Sequence, residues 1–153
     1  MKTVLLVDDD YANLRCFGEI LNGFGFKTIA MPDAETALTI IQEGASIDLV
    51  ITDYRMPGMD GMEFIALLKQ ILPTVPVILL TAYGVMETYL KSLRLGVFEY
   101  VSKPIKAREL IRIVQAGIER SENINAVNKV KAKSLAGANV EGEITLKSRL
   151  RGH

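Results

Sequence analysis

Short apolar runs alternate with segments of helical periodicity along most of this chain. The apolar runs lack the polar alternation of strands with one solvated face, so they predict strands that are buried on both sides. These strands are predicted at Thr3–Val7, Lys27–Ala30, Leu49–Thr52, Val77–Leu80 and Tyr100–Ser102. Apolar positions at helical spacing predict the intervening helices at Tyr11–Asn22, Ala34–Glu43, Met62–Ile71, Met86–Leu95 and Ala107–Arg120. Strands that alternate with helices in this way are typical of an α/β domain with a doubly wound parallel sheet.

Capping and turn residues support the helix boundaries. Asp33 stands directly before the second predicted helix, where an aspartate side chain can accept hydrogen bonds from free backbone N–H groups. Gly23 and Gly25 favour an end to the first helix, and Pro57 and Gly58 interrupt the chain before the third. The predicted elements therefore begin and end where the local chemistry favours it.

Polar side chains follow four of the five predicted strands. Asp8 and Asp9 follow the first strand, Asp53 the third, Thr81 the fourth and Lys103 the fifth. The carboxyl ends of parallel strands meet at one edge of the sheet, and ligands bind such sheets at that edge. We therefore expect these five side chains to converge on one site.

The aspartates raise the question of how like charges share one edge of a sheet. Two carboxylates about 4 Å apart repel by roughly 4 kcal/mol at an effective dielectric constant near 20. Mg²⁺ binds oxygen ligands, and its charge would offset this repulsion and keep the carboxylates ionised. The predicted ligands are Asp8, Asp9, Asp53 and the backbone carbonyl of Arg55.

A carboxylate in such a site can itself be a nucleophile toward phosphorus and form an aspartyl phosphate. Phosphoryl transfer requires positioning and charge neutralisation more than covalent assistance. Lys103 would supply a positive charge opposite the metal, and Thr81 would donate a hydrogen bond to the new phosphoryl oxygen. Solvated caps at strand ends would use the same residue types, so the residues alone leave both interpretations open.

Composition narrows the range of functions. The chain has 153 residues and a formal net charge of zero, which fits one domain with a short appendage. Residues 1–121 carry 12 basic and 15 acidic residues, whereas residues 122–153 carry 6 and 3. The basic excess of this second part is too small for a nucleic-acid patch, so we expect no direct nucleic-acid binding.

Further functions are excluded by single residues and missing motifs. The longest apolar run, Val75–Ala82, is too short to span a membrane, so we expect a cytoplasmic protein without a membrane partner. Cys16 lies among apolar residues and is predicted to be a buried core thiol. His153 is the last residue, which argues against histidine-based catalysis. The glycine motifs of P-loop and dinucleotide-binding proteins do not follow any predicted strand.

Four stretches of the sequence resemble the receiver domain of two-component response regulators, of the type found in chemotaxis regulators. These stretches are LLVDDD, ITDYRMPGMDG, ILLTAYG and FEYVSKP, and they occur in the family's order and approximate spacing. The resemblance covers residues 1 to about 120, so it implies a receiver domain over residues 1–121. It also implies a flavodoxin-like, five-stranded parallel sheet with strand order 2-1-3-4-5 and helices on both faces.

The resemblance implies a role for each acidic residue. Asp53 would be the phosphoacceptor, and Asp8 and Asp9 would form the acidic pair that holds Mg²⁺. Asp9 would be the more direct metal ligand of the two. Lys103 would bind the phosphoryl group, and the peptide bond between Lys103 and Pro104 would be cis.

The resemblance also implies an upstream phosphoryl donor and a downstream binding partner. The phosphoryl donor would be a phosphohistidine on a sensor histidine kinase or a phosphotransfer protein. Thr81 would be the switch hydroxyl and Tyr100 the switch aromatic, and their movement would change the face made by the fourth helix, fifth strand and fifth helix. That face would bind an unknown downstream protein or a second copy of the domain.

Two other functions are kept as alternatives. A Mg²⁺-dependent phosphatase of the haloacid dehalogenase type would use similar residues, but it places its nucleophile in a DxD pair after the first strand and usually carries a cap domain. Only Asp8 and Asp10 form such a pair here, and no segment is available for a cap. A phosphorylation-independent interaction module is also possible, although all five polar positions are intact.

The part of the chain after the receiver-like region is a basic appendage. Apolar residues at helical intervals predict that the fifth helix continues to about Ser134 before Gly137 and Gly142 interrupt it. The segment over residues 141–151 is predicted to form an exposed arm or a short strand. The chain is then either a single-domain regulator that acts by contact or part of a longer protein.

Overall fold

The computed structural model describes residues 1–82 and 84–151, with side chains described as far as residue 137. The strands are β1 (Thr3–Val7), β2 (Lys27–Met31), β3 (Leu49–Thr52), β4 (Val77–Thr81) and β5 (Glu99–Ser102). The helices are α1 (Tyr11–Gly23), α2 (Ala34–Gln42), α3 (Gly61–Ile71), α4 (Met86–Arg94) and α5 (Ala107–Arg151). All predicted elements are present, and apart from the end of α5 their boundaries agree with the predictions to within one residue.

The five strands form one parallel sheet in the order β2-β1-β3-β4-β5, which confirms the predicted topology. Val7 lies beside Thr52, Thr52 lies beside Leu79, and Thr81 lies beside Ser102. The central strands therefore end close together, and the residues that follow them lie along one edge of the sheet. This register brings the polar strand ends within reach of one another.

The two faces of the sheet pack into separate hydrophobic clusters. Because successive strand residues point to opposite faces, Leu5 and Val50 pack with the buried residues of α2 and α3, including Phe64. Leu6 and Leu49 pack on the other face with the buried residues of α1 and α5. The sheet is covered on both sides, which explains why its central strands read as continuous apolar runs.

Three helices begin at aspartate caps. Asp10 caps α1, Asp33 caps α2 and Asp60 caps α3, and each side chain accepts a hydrogen bond of 2.7–2.9 Å from a backbone N–H of the first turn. The hydrogen bonds from Thr36 lower the pKa of the Asp33 carboxyl. The cap predicted at Asp33 is confirmed. The other two caps, Asp10 and Asp60, belong to the loops that follow β1 and β3.

The last helix is longer than predicted. α5 continues from Ala107 to Arg151, so residues 141–151 are helical and do not form the short strand that was one of the two predicted alternatives. Gly137 and Gly142 do not end the helix, because an isolated glycine costs a helix only about 1 kcal/mol and no proline follows. The chain forms two compact units, Met1–Ser121 and Glu122–His153. Among the described helices, none combines the length and the apolar character needed to cross a membrane.

The prediction that Cys16 is a buried core thiol is wrong. The side chain of Cys16 is exposed on α1. The helix buries Leu14, Gly18 and Leu21, which are spaced three and four residues apart and form one stripe. Cys16 follows Leu14 by two residues and therefore lies on the opposite side of the helix from that stripe. The prediction about His153 concerns a residue outside those that the structure describes.

Candidate functional site: an acidic cleft at the edge of the sheet

An open cleft of about 690 Å³ lies at the carboxyl edge of the sheet. It is lined by residues that follow β1, β3 and β5 and by residues of the loop between β3 and α3. Its lining includes five of the predicted site residues, which are Asp8, Asp9, Asp53, Arg55 and Lys103. Ala82, which follows β4, also lines the cleft.

Three carboxylates meet in this cleft. Asp8, Asp9 and Asp53 each place one carboxylate oxygen within 4.8 Å of the oxygens of the other two. Asp8 is buried, Asp53 is half-buried and Asp9 is exposed to the cleft. At 4.8 Å and an effective dielectric constant near 20, each pair of ionised carboxylates repels by about 3.5 kcal/mol. The fold therefore holds together charges that would separate in an unfolded chain.

Lys103 supplies the opposite charge. Its Nζ atom lies 2.9 Å from Oδ2 of Asp8 and 3.2 Å from Oδ2 of Asp53, so one ammonium group bridges two strand ends. Burial lowers the pKa of Lys103, but the hydrogen bonds and negative charges of Asp8 and Asp53 outweigh this effect and raise the pKa above its ordinary value. The ammonium is therefore charged throughout the physiological range, and the cluster keeps an excess of negative charge.

Burial raises the pKa of Asp53. The positive charge of Lys103 lowers this pKa and the negative charge of Asp8 raises it, and the net shift is upward. The second oxygen of Asp53, Oδ1, accepts a hydrogen bond of 2.7 Å from the backbone N–H of Tyr54. Asp53 is thus an electron-rich carboxylate that is held in place on both oxygens and still faces an open cleft.

Asp8 is the most completely bonded of the three carboxylates. Its Oδ1 accepts from the backbone N–H of Asp10 at 2.9 Å, and its Oδ2 accepts from Asn13 Nδ2 at 3.2 Å as well as from Lys103. The sequence predictions did not include Asn13. Its position in the first turn of a helix that begins two residues after Asp9 was the available signal, because first-turn side chains lie next to the end of the preceding strand.

The loop between β3 and α3 is fixed at both of its ends. Gly61 begins α3 in direct contact with the backbone of Asp53 and Tyr54, and a Cβ atom at this position would collide with the carbonyl oxygen of Asp53. The N–H of Gly61 donates to the carbonyl oxygen of Tyr54 at 2.7 Å. At the tip, the carboxylate of Glu35 accepts from the N–H of Met59 at 3.0 Å. These contacts restrain the loop that follows Asp53.

Thr81 and Tyr100 lie beside the cleft. Thr81 is fully buried at the end of β4, and its carbonyl oxygen accepts a hydrogen bond of 2.9 Å from the N–H of Lys103. Tyr100 is half-buried on β5, and its hydroxyl lies 2.8 Å from that of Thr88 on α4. The rings of Tyr100 and Tyr89 also form a T-shaped contact, with their centroids 5.6 Å apart.

The peptide bond between Lys103 and Pro104 is cis. It immediately follows the residue whose ammonium bridges Asp8 and Asp53. Of the predicted site residues, Asp8, Asp9, Asp53, Arg55 and Lys103 line the cleft, whereas Thr81 and Tyr100 are not part of its lining.

The donor set fits Mg²⁺. Octahedral Mg²⁺ binds oxygen at about 2.1 Å, so adjacent ligand oxygens lie about 3 Å apart and opposite ones about 4.2 Å apart. The three carboxylate oxygens are within 4.8 Å of one another, and small side-chain rotations would bring them to these separations. The set offers oxygen atoms alone, which favours a hard cation over zinc or copper. Asp8, Asp9 and Asp53 are therefore able to hold Mg²⁺.

Residues 4–115 match the family described as the response regulator receiver domain. The chain is 39% identical over 111 residues to the response regulator protein FleR of Pseudomonas aeruginosa, an alignment that covers 72% of this chain and 23% of FleR. It is 38% identical over 121 residues to the transcriptional regulatory protein CpxR of Escherichia coli, with 79% of this chain and 51% of CpxR covered. The chain thus spans about a quarter to a half of the length of these curated relatives.

Solved structures show the same fold. A receiver domain from Clostridium thermocellum superposes with a TM-score of 0.77 at 30% identity, covering 81% of this chain and 99% of that one. A CheY-like receiver domain from Methanospirillum hungatei has a TM-score of 0.77 at 28% identity, covering 80% and 98% of the two chains. The family match covers most of the chain and the solved receiver domains share its fold, so this chain belongs to the response regulator receiver domain family.

Proposed function

We propose that this domain is a switch that is turned by phosphorylation of Asp53. The observation that carries the proposal is the ammonium of Lys103, which bridges Asp8 and Asp53 at 2.9 and 3.2 Å in a cleft that also holds Asp9. The arrangement places a nucleophile, a positive charge and an oxygen-rich metal site around one open space. These are the components that phosphoryl transfer to a carboxylate requires.

The proposed donor is a phosphohistidine of a sensor histidine kinase or a phosphotransfer protein. A carboxylate oxygen of Asp53 forms a bond to phosphorus while the bond between phosphorus and the histidine nitrogen breaks. That nitrogen leaves with the bonding electron pair and is protonated, so no other reactant is consumed. Hydrogen bonds from Tyr54 and Lys103 orient the Asp53 carboxylate for this attack.

Mg²⁺ held by Asp8, Asp9 and Asp53, with the carbonyl oxygen of Arg55 as a further ligand, would supply positive charge for the phosphoryl oxygens. Lys103 would bind the same group from the other side of the cleft. In this arrangement Asp8, Asp9 and Asp53 would bind the metal, whereas Lys103 would bind the phosphoryl group directly. Asp9 is the exposed member of the cluster, which supports its assignment as the most direct metal ligand.

Phosphorylation would change the conformation of residues on β4 and β5. The phosphoryl group adds oxygen acceptors, and the hydroxyl of Thr81 would turn toward one of them. The hydroxyl of Tyr100 lies 2.8 Å from that of Thr88 on α4. A rotation of the Tyr100 side chain would therefore break this hydrogen bond and alter the packing of α4. Moving a two-state equilibrium from 1:99 to 99:1 requires about 5.5 kcal/mol, which a few charge-assisted hydrogen bonds can supply.

The surface of α4 is suited to an output role. Its buried residues are polar, Thr88 and Ser92, whereas Met86, Leu90 and Leu93 are 69%, 47% and 53% exposed. The exposed residues follow helical spacing and form one apolar stripe. Such a stripe on an otherwise soluble surface marks a protein interaction site. A downstream protein or a second copy of the domain would bind here, next to β5 and α5.

The proposal also assigns a role to each of two parts of the chain. Residues 1–121 would act as the receiver domain, and the basic part at residues 122–153 would act as its extension.

The phosphatase alternative is less well supported, because the carboxylate of Asp10 caps α1 through the N–H groups of Ala12 and Asn13 and is not directed to a catalytic role. No observation favours a second candidate function over the switch.

Acetyl phosphate with Mg²⁺ tests the proposal, with intact-protein mass spectrometry as the measurement. We expect the wild-type protein to gain one phosphoryl group and Asp53→Asn to gain none. Asp33→Asn is the matched control, since Asp33 is an aspartate outside the cleft whose capping role asparagine can take over. Labelling of Asp53→Asn to the wild-type extent, or catalytic turnover of a phosphate ester in place of stoichiometric labelling, would contradict the proposal.

A further inference from the structure

We propose that Asn13 is a positioning residue that allows Lys103 to transfer from Asp8 to the phosphoryl group. The inference rests on the proposed phosphoacceptor function of Asp53. Asn13 lies in the first turn of α1 and lines the cleft, and its side-chain amide donates a hydrogen bond to Asp8. Its role would therefore be exerted through the partners of Asp8.

Two side chains share one oxygen atom of Asp8. Asn13 Nδ2 donates to Oδ2 of Asp8 at 3.2 Å, and Lys103 Nζ donates to the same oxygen at 2.9 Å. The other oxygen is already used by the N–H of Asp10 at 2.9 Å. Asp8 is only 5% exposed, so water has little access to replace a lost donor.

Phosphorylation of Asp53 would change the balance between these donors. The Lys103 ammonium is attracted to the new phosphoryl oxygens, and it must weaken its bond to Asp8 in order to reach them. Even with Mg²⁺ bound to the carboxylates, loss of a hydrogen-bond donor from an oxygen of buried Asp8 is unfavourable. Asn13 keeps that oxygen bonded, so it reduces the free-energy cost of moving Lys103.

Asn13 is well placed to stay behind when Lys103 moves. Its backbone N–H is bonded to Oδ1 of the helix cap Asp10 at 3.3 Å, which fixes the residue in the first turn of α1. Its amide is neutral, so it satisfies Asp8 without cancelling the negative charge that attracts a metal ion. A lysine or arginine at this position would bind Asp8 more strongly and would also compete with the metal.

The first test compares Asn13→Ala and Asn13→Leu with Asn22→Ala. Asn22 is a matched control on the same helix, because its side chain accepts from the hydroxyl of Thr28 at 3.1 Å and lies outside the lining of the cleft. With acetyl phosphate at saturating Mg²⁺, we expect the phosphorylation rate constant to fall about ten-fold in both Asn13 variants and to be unchanged in Asn22→Ala.

The Mg²⁺ dissociation constant, measured by titration calorimetry, separates positioning from a general structural role. We expect it to change by less than about two-fold in the Asn13 variants, because the carboxylates themselves are retained. A fold-loss of Mg²⁺ affinity as large as the fold-loss of rate would overturn the inference. So would a rate in Asn13→Ala equal to that of Asn22→Ala.

The second test needs no phosphorylation. In the metal-free protein, we expect Lys103→Met to move the side-chain amide proton resonances of Asn13 downfield, because Asp8 Oδ2 then accepts from Asn13 alone and that bond shortens. Unchanged resonances would show that the two donors do not share the oxygen, and would refute the inference. Failure of the wild-type protein to be labelled would refute the proposed function as well, whereas labelling of Asn13→Ala at the wild-type rate refutes only the role of Asn13.

Discussion

Replacing Asp53 with asparagine should make the metal-free domain more stable. Asparagine is nearly isosteric with aspartate, and its carbonyl oxygen can still accept the hydrogen bond from the N–H of Tyr54. The substitution removes one negative charge from a group of three carboxylates and one ammonium. It therefore tests whether the charges of the cleft are held together against their mutual repulsion.

The magnitude follows from the distances in the cleft. Each carboxylate pair lies within 4.8 Å, so ionised Asp53 meets two repulsions of about 3.5 kcal/mol at a dielectric constant near 20. At 3.2 Å its attraction to Lys103 is about 5 kcal/mol on the same scale. The repulsions exceed the attraction by about 2 kcal/mol, and the exposure of Asp9 reduces that difference. We expect Asp53→Asn to raise the free energy of unfolding by about 1–2 kcal/mol.

The pH dependence of this gain has a defined sign. The pKa of Asp53 in the folded protein is raised above its ordinary value of 3.8, chiefly by burial. The proton on Asp53 therefore stabilises the folded state at low pH, and this stability is lost as the pH rises through the folded-state pKa. The difference between Asp53→Asn and the wild-type protein should accordingly be small below pH 3.8 and should reach its full value at neutral pH.

Urea unfolding in the presence of EDTA, followed by circular dichroism, measures the effect. Mg²⁺ should then stabilise the wild-type protein by about 2.7 kcal/mol at a hundred times its dissociation constant, and should stabilise Asp53→Asn much less. Asp33→Asn serves again as the control for an aspartate outside the cleft. If Asp53→Asn is less stable than the wild-type protein in EDTA at neutral pH, the assignment of net repulsion to the cleft is wrong.

Three further substitutions test other parts of the fold. Lys103→Met should lower the free energy of unfolding by about 3 kcal/mol in EDTA, because it leaves Asp8 and Asp53 without their shared cation; urea unfolding with added Mg²⁺ should recover part of the loss, and equal losses with and without the metal would contradict this. Gly61→Ala should destabilise the protein by more than about 2 kcal/mol and weaken Mg²⁺ binding, since the new Cβ would collide with the carbonyl oxygen of Asp53; wild-type values in thermal unfolding and calorimetry would refute the close contact. Asp33→Ala should cost about 1 kcal/mol at neutral pH and Asp33→Asn almost nothing. Because the pKa of Asp33 is lowered, the part of this contribution that depends on the carboxylate charge should be lost as the pH falls below 3.8, and a pH-independent difference in urea unfolding would show that the charge of Asp33 does not contribute to the cap.

The sheet and the position of the site could be predicted because they depend on short-range patterns. Strands such as Leu49–Thr52 are buried on both faces, and their uninterrupted apolar character records that environment directly. Asp8, Asp53 and Lys103 each follow a strand, and parallel topology alone brings strand ends to a common edge. The prediction thus needed the order of the elements and no knowledge of side-chain contacts.

The contacts that the sequence did not reveal depend on rotational position and on tertiary geometry. Cys16 lies among apolar neighbours, yet the rotation of α1 places it on the exposed side. Asn13 looks like an ordinary surface residue until the first turn of α1 is placed over Asp8. Glu35 lies 24 residues from its partner Met59, and no local pattern connects the two. The continuation of α5 to Arg151 was missed because two glycines were given more weight as helix breakers than their cost justifies.

The composition of α4 also has a consequence for dynamics. Thr88 and Ser92 are the residues that this helix buries, so detaching it from the sheet exposes little apolar area and meets little hydrophobic resistance. Local opening of α4 should therefore require far less free energy than global unfolding, and its amide hydrogens should exchange with solvent sooner than those of α3, which buries Phe64, Ile65 and Leu68. The domain would then combine a rigid scaffold with one weakly attached helix, which can rearrange while both cores remain intact.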